Sequence, residues 1–117
     1  MQILFAIGDT DLRLSLELLL SEEPGVRIVG SASDTEGMLA LVKSSCPDLV
    51  LLDWELPGDP IKAVLGEILA LDCQPNSIVL GKRGGSKEAA VQAGADIYLT
   101  KGDPPEQLLV AIRALNA

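Results

Sequence analysis

Two aspartates and one lysine stand at the ends of apolar runs that are typical of buried strands. Asp53 directly follows one such run, whereas Asp9 and Lys101 each come two residues after another. A carboxylate can act as the nucleophile in phosphoryl transfer, and a lysine ammonium can neutralise phosphoryl oxygens. Two carboxylates held close together also favour a hard cation such as Mg²⁺. The alternative is ordinary structure, with Asp9 as a helix cap and Lys101 in a solvated loop.

The elements that must position these residues are five apolar runs alternating with five helical patterns. The runs are almost continuously apolar, as parallel strands covered on both faces usually are. Strict alternation of strand and helix predicts an α/β fold with a parallel sheet, right-handed crossovers and helices on both faces. The predicted strands are Ile3–Ile7, Val26–Ser31, Leu49–Leu52, Ile78–Leu80 and Ile97–Leu99.

Helix boundaries follow from residues that commonly begin or end helices. The predicted boundary residues are, in chain order, Asp9 or Thr10 and Pro24-Gly25 for the first helix, Ser33 with Glu36 as a capping box for the second, Pro60 for the third, Ser86 and Gly94 for the fourth, and Asp103 with Pro104 for the fifth.

In open parallel sheets, ligands bind outside the carboxyl ends of the strands. In the predicted fold, this edge of the sheet brings together Asp9, Asp53, Gly81 and Lys101.

Composition limits the possible functions. The 117 residues predict one domain over residues 1–117, and a net charge of -8 disfavours direct binding to nucleic acid or to an anionic membrane. The absence of histidine excludes imidazole metal ligands and Ser-His or Cys-His nucleophile pairs. Cys46 and Cys73 are expected to be reduced thiols, with a disulfide between them as the alternative. Without a leader or a membrane-spanning run, the chain is expected to be soluble and cytoplasmic.

Four segments resemble a response-regulator receiver domain of the NarL/LuxR type, over nearly the whole chain. They are ILFAIGD, PDLVLLDWELPG, SIVLG and AGADIYLTKGDPPEQLLVAIRAL. The resemblance implies a flavodoxin-like doubly wound (βα)5 fold with strand order 2-1-3-4-5. It also implies a signalling module in place of an enzyme, with at most self-phosphorylation and dephosphorylation chemistry at Asp53.

The resemblance carries roles over to individual residues. Asp53 matches the phospho-accepting aspartate, and Lys101 matches the lysine that pairs with the phosphoryl group. Asp9 matches an acid that binds Mg²⁺, and Glu55 stands where the family offers a backbone carbonyl to the metal; with Asp53 they form the implied metal site. Tyr98 falls on the aromatic switch position of the fifth strand, although it can also be read as a half-buried strand tyrosine.

Two glycines depart from the family pattern. Gly8 replaces the first of two acids after the first strand, so we expect weak Mg²⁺ binding or none. Gly81, a switch position, replaces a Ser or Thr whose hydroxyl binds the phosphoryl group and draws in the aromatic residue. The adjacent KRGGSK segment could direct Lys82 or Arg83 toward the anionic pocket, or could be a solvated loop.

These departures favour an atypical receiver, whose interactions depend weakly or not at all on phosphorylation of Asp53. The alternatives are a conventional Mg²⁺-dependent receiver phosphorylated by a histidine kinase, and a flavodoxin-like domain that binds a small phosphate-bearing ligand. The expected partners are a kinase or other signalling protein and a linked or separate output domain, such as a DNA-binding helix-turn-helix, which this chain does not contain. A homodimer is also compatible with the resemblance.

Overall fold

The computed structural model describes residues 1–83, 85 and 87–116, and its centre is a five-stranded sheet. All neighbouring strands are parallel and their order is β2-β1-β3-β4-β5, which confirms the predicted fold. The elements are β1 (Gln2–Ala6), α1 (Thr10–Ser21), β2 (Arg27–Ala32), α2 (Thr35–Ser45), β3 (Leu49–Asp53), α3 (Ile61–Leu69), β4 (Asn76–Gly81), α4 (Lys87–Gln92), β5 (Ile97–Thr100) and α5 (Pro105–Leu115).

Two apolar layers cover the two faces of this sheet. Because side chains alternate along a strand, neighbouring residues of the same strand enter different layers. Leu4 and Val50 face the layer built with α2 and α3. Phe5 and Leu51 face the layer built with α1 and α5. This two-sided burial explains why the strands read as continuous apolar runs.

The second helix begins one residue later than the Ser33 capping box predicts. Asp34 is the N-cap, in extended conformation, and its Oδ1 accepts a hydrogen bond of 2.7 Å from the Gly37 N–H. A carboxylate also interacts favourably with the positive end of the helix dipole, which explains why Asp34 outcompetes the preceding hydroxyl. The capping box with Glu36 is therefore wrong, although the helix itself is in place.

The fifth helix also begins differently from the prediction. Pro104 is the N-cap and Pro105 the first helical residue, because a residue that precedes proline is disfavoured in the α region. The Asp103 carboxylate instead accepts a hydrogen bond of 3.1 Å from the Thr100 N–H at the end of β5. Asp9 does cap α1, and Gly94 has the expected positive φ, whereas the predicted cap Ser86 lies outside the described residues.

The loop after Asp53 requires glycine at position 58. Gly58 has a φ of +117°, and a Cβ there would lie 3.2 Å from the Thr35 backbone nitrogen and collide with the Thr35 hydroxyl. That hydroxyl accepts a hydrogen bond of 2.8 Å from the Asp59 N–H, so the loop and the start of α2 are held together at this point.

Substitution of Gly58 by alanine is therefore expected to lower the free energy of unfolding by about 3 kcal/mol, through backbone strain and the displaced Thr35. Gly66 provides the matched control, because it lies inside α3 and a Cβ there meets nothing within 4 Å. Gly66→Ala should raise the free energy of unfolding by about 0.5–1 kcal/mol. Urea denaturation of the two variants measures whether the free energy of unfolding falls for Gly58→Ala and rises for Gly66→Ala. Equal changes in the two variants would contradict the strain expected at position 58.

An ion pair connects the segment after α1 to the last turn of α5. Arg113 donates two hydrogen bonds to the Glu23 carboxylate, from Nε to Oε1 at 2.8 Å and from an Nη to Oε2 at 2.9 Å. The hydrogen bond from Arg113 is the main cause that lowers the pKa of Glu23. Stability from this pair is therefore fully present above the unfolded pKa of about 4.3 and is lost as the pH falls through the lower folded pKa.

We expect Glu23→Gln to reduce the melting temperature at pH 7 and to reduce it progressively less as the pH falls through the lowered folded pKa of Glu23 and the wild-type carboxylate becomes protonated. Thermal melts of both proteins at pH 7 and over an acidic pH series measure this difference. Glu17→Gln is the control, because its partner Arg13 lies at 3.9 Å in an i,i+4 pair. A pH-independent effect of Glu23→Gln would show that the carboxylate does not act through its charge.

None of the helices in the described part of the chain is both long enough and apolar enough to cross a bilayer.

Candidate functional site at the carboxyl end of the sheet

The candidate residues lie at one edge of the sheet, where the carboxyl ends of the strands meet. Asp53 and Gly81 are the last residues of β3 and β4, whereas the sequence predicted that each of these strands ends one residue earlier. Lys101 directly follows β5, and Asp9 directly precedes α1. The parallel arrangement of the strands therefore brings residues from four distant parts of the chain to the same edge.

Asp53 is the buried centre of this edge, with only 5% of its surface exposed. Lys101 places its Nζ 2.8 Å from Asp53 Oδ1. The same oxygen accepts a hydrogen bond of 2.9 Å from the Glu55 N–H. A buried carboxylate is costly unless it is paired and hydrogen-bonded, and these two contacts satisfy that requirement. Lys101 must reach past the end of β4 to make its contact, because β4 separates β3 from β5.

Asp9 has a structural role in the described contacts. Its Oδ1 accepts a hydrogen bond of 3.1 Å from the Leu12 N–H, and its backbone carbonyl accepts one of 3.0 Å from the Arg13 N–H. The neighbouring Gly8 contributes no carboxylate, although a Cβ there would meet only Pro57 Cδ at 3.7 Å and the Ser33 carbonyl oxygen at 3.8 Å. There is thus room for a side chain at position 8.

The donor set for a metal is correspondingly small. Within residues 1–83, 85 and 87–116, no three His, Cys, Asp or Glu side chains are grouped so that they could hold a metal ion. Mg²⁺ needs only one or two protein carboxylates when waters complete its shell, so Asp9 and Asp53 fit it at the lower limit. One of these carboxylates already has an ammonium partner, which further reduces the attraction for a second cation.

The segment after β4 contributes two ion pairs that the sequence did not predict specifically. Lys82 Nζ lies 3.2 Å from Glu55 Oε1, and Arg83 contacts Asp103 at 3.5 Å. Lys82 therefore does lean toward the anionic edge, whereas Arg83 turns toward the start of α5. Both basic side chains are more than 70% exposed, at 75% and 79%, so each pair adds little stability and acts mainly on the local charge.

Tyr98 fills the space above Gly81. A Cβ built on Gly81 would collide with the Tyr98 hydroxyl and would lie 2.8 Å from Cζ and 2.9 Å from Cε2 of the ring. The hydroxyl donates a hydrogen bond of 2.7 Å to the Lys82 carbonyl oxygen. The ring thus occupies the volume that any side chain at position 81 would need, and one strong hydrogen bond anchors it there.

Taken as chemistry, this edge offers a buried carboxylate nucleophile with an ammonium beside it and a second, exposed ammonium nearby. Such an arrangement can stabilise negative charge on a phosphoryl group transferred to Asp53. It offers no hydroxyl at position 81 to bind that group. The Tyr98 ring next to this position lies over Gly81.

The model of the family described as response regulator receiver domain matches residues 4–113. The nitrate/nitrite response regulator protein NarL of Escherichia coli K12 is 33% identical over 108 residues, which cover 91% of this chain and 50% of that protein. The transcriptional regulatory protein DesR of Bacillus subtilis is 30% identical over 101 residues, which cover 86% of this chain and 51% of that protein. The chain thus spans about half the length of these curated relatives.

Solved structures show the same fold. A DNA-binding response regulator of the LuxR family from Staphylococcus aureus superposes with a TM-score of 0.88 at 26% identity, covering 99% of this chain and 98% of that chain. A two-component response regulator of the LuxR family from Aurantimonas sp. SI85-9A1 gives 0.87 at 28% identity, covering 97% and 83%. The match therefore extends over the whole sheet and its helices.

Proposed function

Because this chain belongs to the response-regulator receiver family, in its NarL/LuxR type, we propose that it is an atypical receiver whose partner-binding surface depends weakly or not at all on phosphorylation of Asp53. The observation that carries the proposal is the position of Tyr98 over Gly81. A switch requires a ligand that binds one conformation better than the other. Here the ring is already seated and no residue-81 hydroxyl is present to respond to a phosphoryl group.

The charge around Asp53 supports the same proposal. Lys82 pairs at 3.2 Å with Glu55, two residues after Asp53, and so adds a second ammonium group to the one that Lys101 provides. Much of the electrostatic effect that a bound cation would otherwise provide is thus supplied by two ammonium groups. A loss of about 1–2 kcal/mol in differential binding reduces a switching ratio roughly tenfold.

Individual roles at the site follow from this proposal. Asp53 is the phospho-acceptor position, and Lys101 holds its oxygen in the unmodified protein and would pair with a phosphoryl group. Mg²⁺, when bound, would supply positive charge beside the reacting oxygens; Asp9, Asp53 and the Glu55 carbonyl would hold it weakly. Gly81 and Tyr98 occupy the two switch positions, and the Tyr98 ring keeps one position over Gly81.

The partners proposed for this chain are those of a two-component regulator. We propose a histidine kinase or another signalling protein upstream and a DNA-binding helix-turn-helix output downstream, in the cytoplasm, with a homodimer as a possible assembly. The support is the similarity to NarL and DesR, of which this chain matches about half. The acidic charge of -8 favours a protein partner for this domain over direct contact with DNA.

A conventional phosphorylation-dependent receiver is the second candidate. The intact contact between Lys101 and Asp53 favours it, because this pair is what phosphoryl transfer to Asp53 would use. The two candidates differ in the effect of Asp53→Asn on signalling. The atypical receiver predicts little change, and the conventional receiver predicts loss of the response.

The test of the proposal combines intact-mass spectrometry with sedimentation velocity after incubation with acetyl phosphate and Mg²⁺. Asp53→Asn is the control that cannot accept the phosphoryl group. We expect the sedimentation coefficient to be the same before and after treatment, whatever fraction of the wild type gains one phosphoryl group. A mass shift confined to the wild type, together with a change in oligomeric state, would overturn the proposal in favour of the conventional receiver.

A further inference from the structure

Both cysteines lie at the amino end of the sheet, opposite Asp53. Cys46 is the C-cap of α2 and Cys73 lies in the loop between α3 and β4. Each stands three residues before a strand position, and these two positions, Leu49 and Asn76, are paired neighbours in the β3–β4 ladder. Each cysteine thus lies the same number of residues before one member of a pair of neighbouring strand residues, in segments that lead into adjacent strands.

The surrounding contacts hold the two segments side by side. The Asn76 N–H donates a hydrogen bond of 3.0 Å to the Asp48 carbonyl, so the chains are already joined just before the strands begin. Cys46 and Cys73 line one open cleft together with Pro47 and Pro75. Neighbouring strands lie about 4.8 Å apart, which falls within the Cα separation of about 4.4–6.8 Å that a disulfide spans.

The Cys46 thiol is influenced by its neighbours on the α3–β4 loop. Hydrogen bonding toward Cys73 is the main cause that raises the pKa of the Cys46 thiol, and desolvation and the electrostatic influence of Cys73 and Asp72 add to it. Cys46 is exposed and Cys73 is partly exposed, so an oxidant in solution can reach them.

From this geometry we propose that Cys46 and Cys73 are a redox-active pair that closes to an intramolecular disulfide and reopens by thiol–disulfide exchange. The co-reactant is a low-molecular-weight disulfide such as oxidised glutathione. One cysteine thiolate attacks a sulfur of that disulfide, which forms a mixed disulfide and releases one small thiolate. The second cysteine thiolate then attacks the protein sulfur of the mixed disulfide and releases the other small thiolate. In sum, two protein thiols lose two electrons and two protons, and one oxidised glutathione becomes two glutathione thiols.

Closure would connect the end of α2 to the α3–β4 loop without involving the carboxyl edge of the sheet. The proposed disulfide therefore does not depend on whether Asp53 is phosphorylated. The disulfide proposal and the proposed receiver function can be contradicted independently of each other. Both thiols are accessible to solvent, which thiol–disulfide exchange requires.

The test equilibrates the full chain with oxidised and reduced glutathione at pH 8, where the raised pKa of Cys46 limits the reaction less, and then traps free thiols with N-ethylmaleimide. Intact mass should show a wild-type species about 2 Da lighter with no adducts, at least about tenfold more abundant than any glutathione adduct. Cys46→Ser and Cys73→Ser should each accumulate one glutathione adduct instead.

Tryptic mapping without reductant should identify the bond between Cys46 and Cys73, and the oxidised protein should melt several degrees higher than the reduced one. A wild type that accumulates two glutathione adducts, or that links only to other copies of itself, would overturn the proposal. The same wild type unfolded in urea is the reference; a closed fraction as large there as in the folded protein would also overturn it, because the fold would then contribute nothing.

Discussion

Gly81→Thr is expected to displace Tyr98 and, under the proposed function, to create a dependence on phosphorylation. The new Cβ would lie 2.8 Å from Tyr98 Cζ, so the ring must leave its place over position 81 and lose its hydrogen bond to the Lys82 carbonyl. We expect the free energy of unfolding to fall by about 1–3 kcal/mol, the usual cost of overpacking. The threonine hydroxyl would also give position 81 a group that can bind a phosphoryl oxygen.

The measurement is the NMR signal of the Tyr98 ring, which is unambiguous because the chain has one tyrosine. In Gly81→Thr it should differ from the wild type and should shift again when a phosphoryl analogue such as beryllofluoride is added with Mg²⁺. Gly102→Thr is the matched control near the same edge, because a Cβ there meets nothing within 4 Å. A Gly81→Thr protein with an unchanged ring signal would contradict the assigned position of Tyr98.

Gly8→Asp is expected to raise the affinity for Mg²⁺ about tenfold or more. The fold has room for this side chain, since a Cβ at position 8 meets only Pro57 Cδ at 3.7 Å and the Ser33 carbonyl oxygen at 3.8 Å. A third carboxylate beside Asp9 and Asp53 would increase the attraction for a divalent cation, and about 1.4 kcal/mol of added attraction is a tenfold change in affinity.

Titration with MgCl₂ can be followed by the fluorescence of Trp54, the one tryptophan of the chain and the residue next to Asp53. Gly8→Asn provides a control of the same shape without the charge and should bind Mg²⁺ far more weakly than Gly8→Asp. Equal affinities of the wild type and Gly8→Asp would contradict the view that the small donor set at this edge limits metal binding.

The placement of Asp53 and Lys101 at one edge could be predicted from the sequence, because each lies at or just after the end of a strand of a parallel sheet. The carboxyl ends of such strands must meet at one edge, whatever the detailed packing. The first residues of α2 and α5, Thr35 and Pro105, could not be placed as reliably. Ser33 and Asp34 are both good caps, and only the folded structure decides between them, since the Thr35 N–H donates to the Pro57 carbonyl.

The contact between Tyr98 and Gly81 could be predicted only if the register between β4 and β5 were known. Val79 pairs with Tyr98 in the β4–β5 ladder, so Gly81 is the diagonal neighbour on the same face. A large ring beside a residue without a side chain has space to turn inward. The family resemblance identified both switch positions separately, but the consequence of combining them depends on this contact.

The two cysteines illustrate the remaining limit. Their separation along the chain indicates no pairing, and the sequence alone favours two independent thiols. Their proximity follows from the pairing of Leu49 with Asn76, which is a tertiary property of neighbouring strands. Local patterns thus predicted the elements and the edge where the candidate residues meet, whereas contacts between elements required the folded structure.

Under the proposed function, Tyr98 keeps one position whether or not Asp53 carries a phosphoryl group. The ¹³C-labelled Tyr98 ring signal of the wild type, recorded with and without beryllofluoride and Mg²⁺, tests this directly once intact-mass measurement with acetyl phosphate has established whether Asp53 can be modified. We expect one ring signal at an unchanged position in both states. A ring signal that moves on addition of the analogue, and does not move in Asp53→Asn, would instead show a working phosphorylation switch.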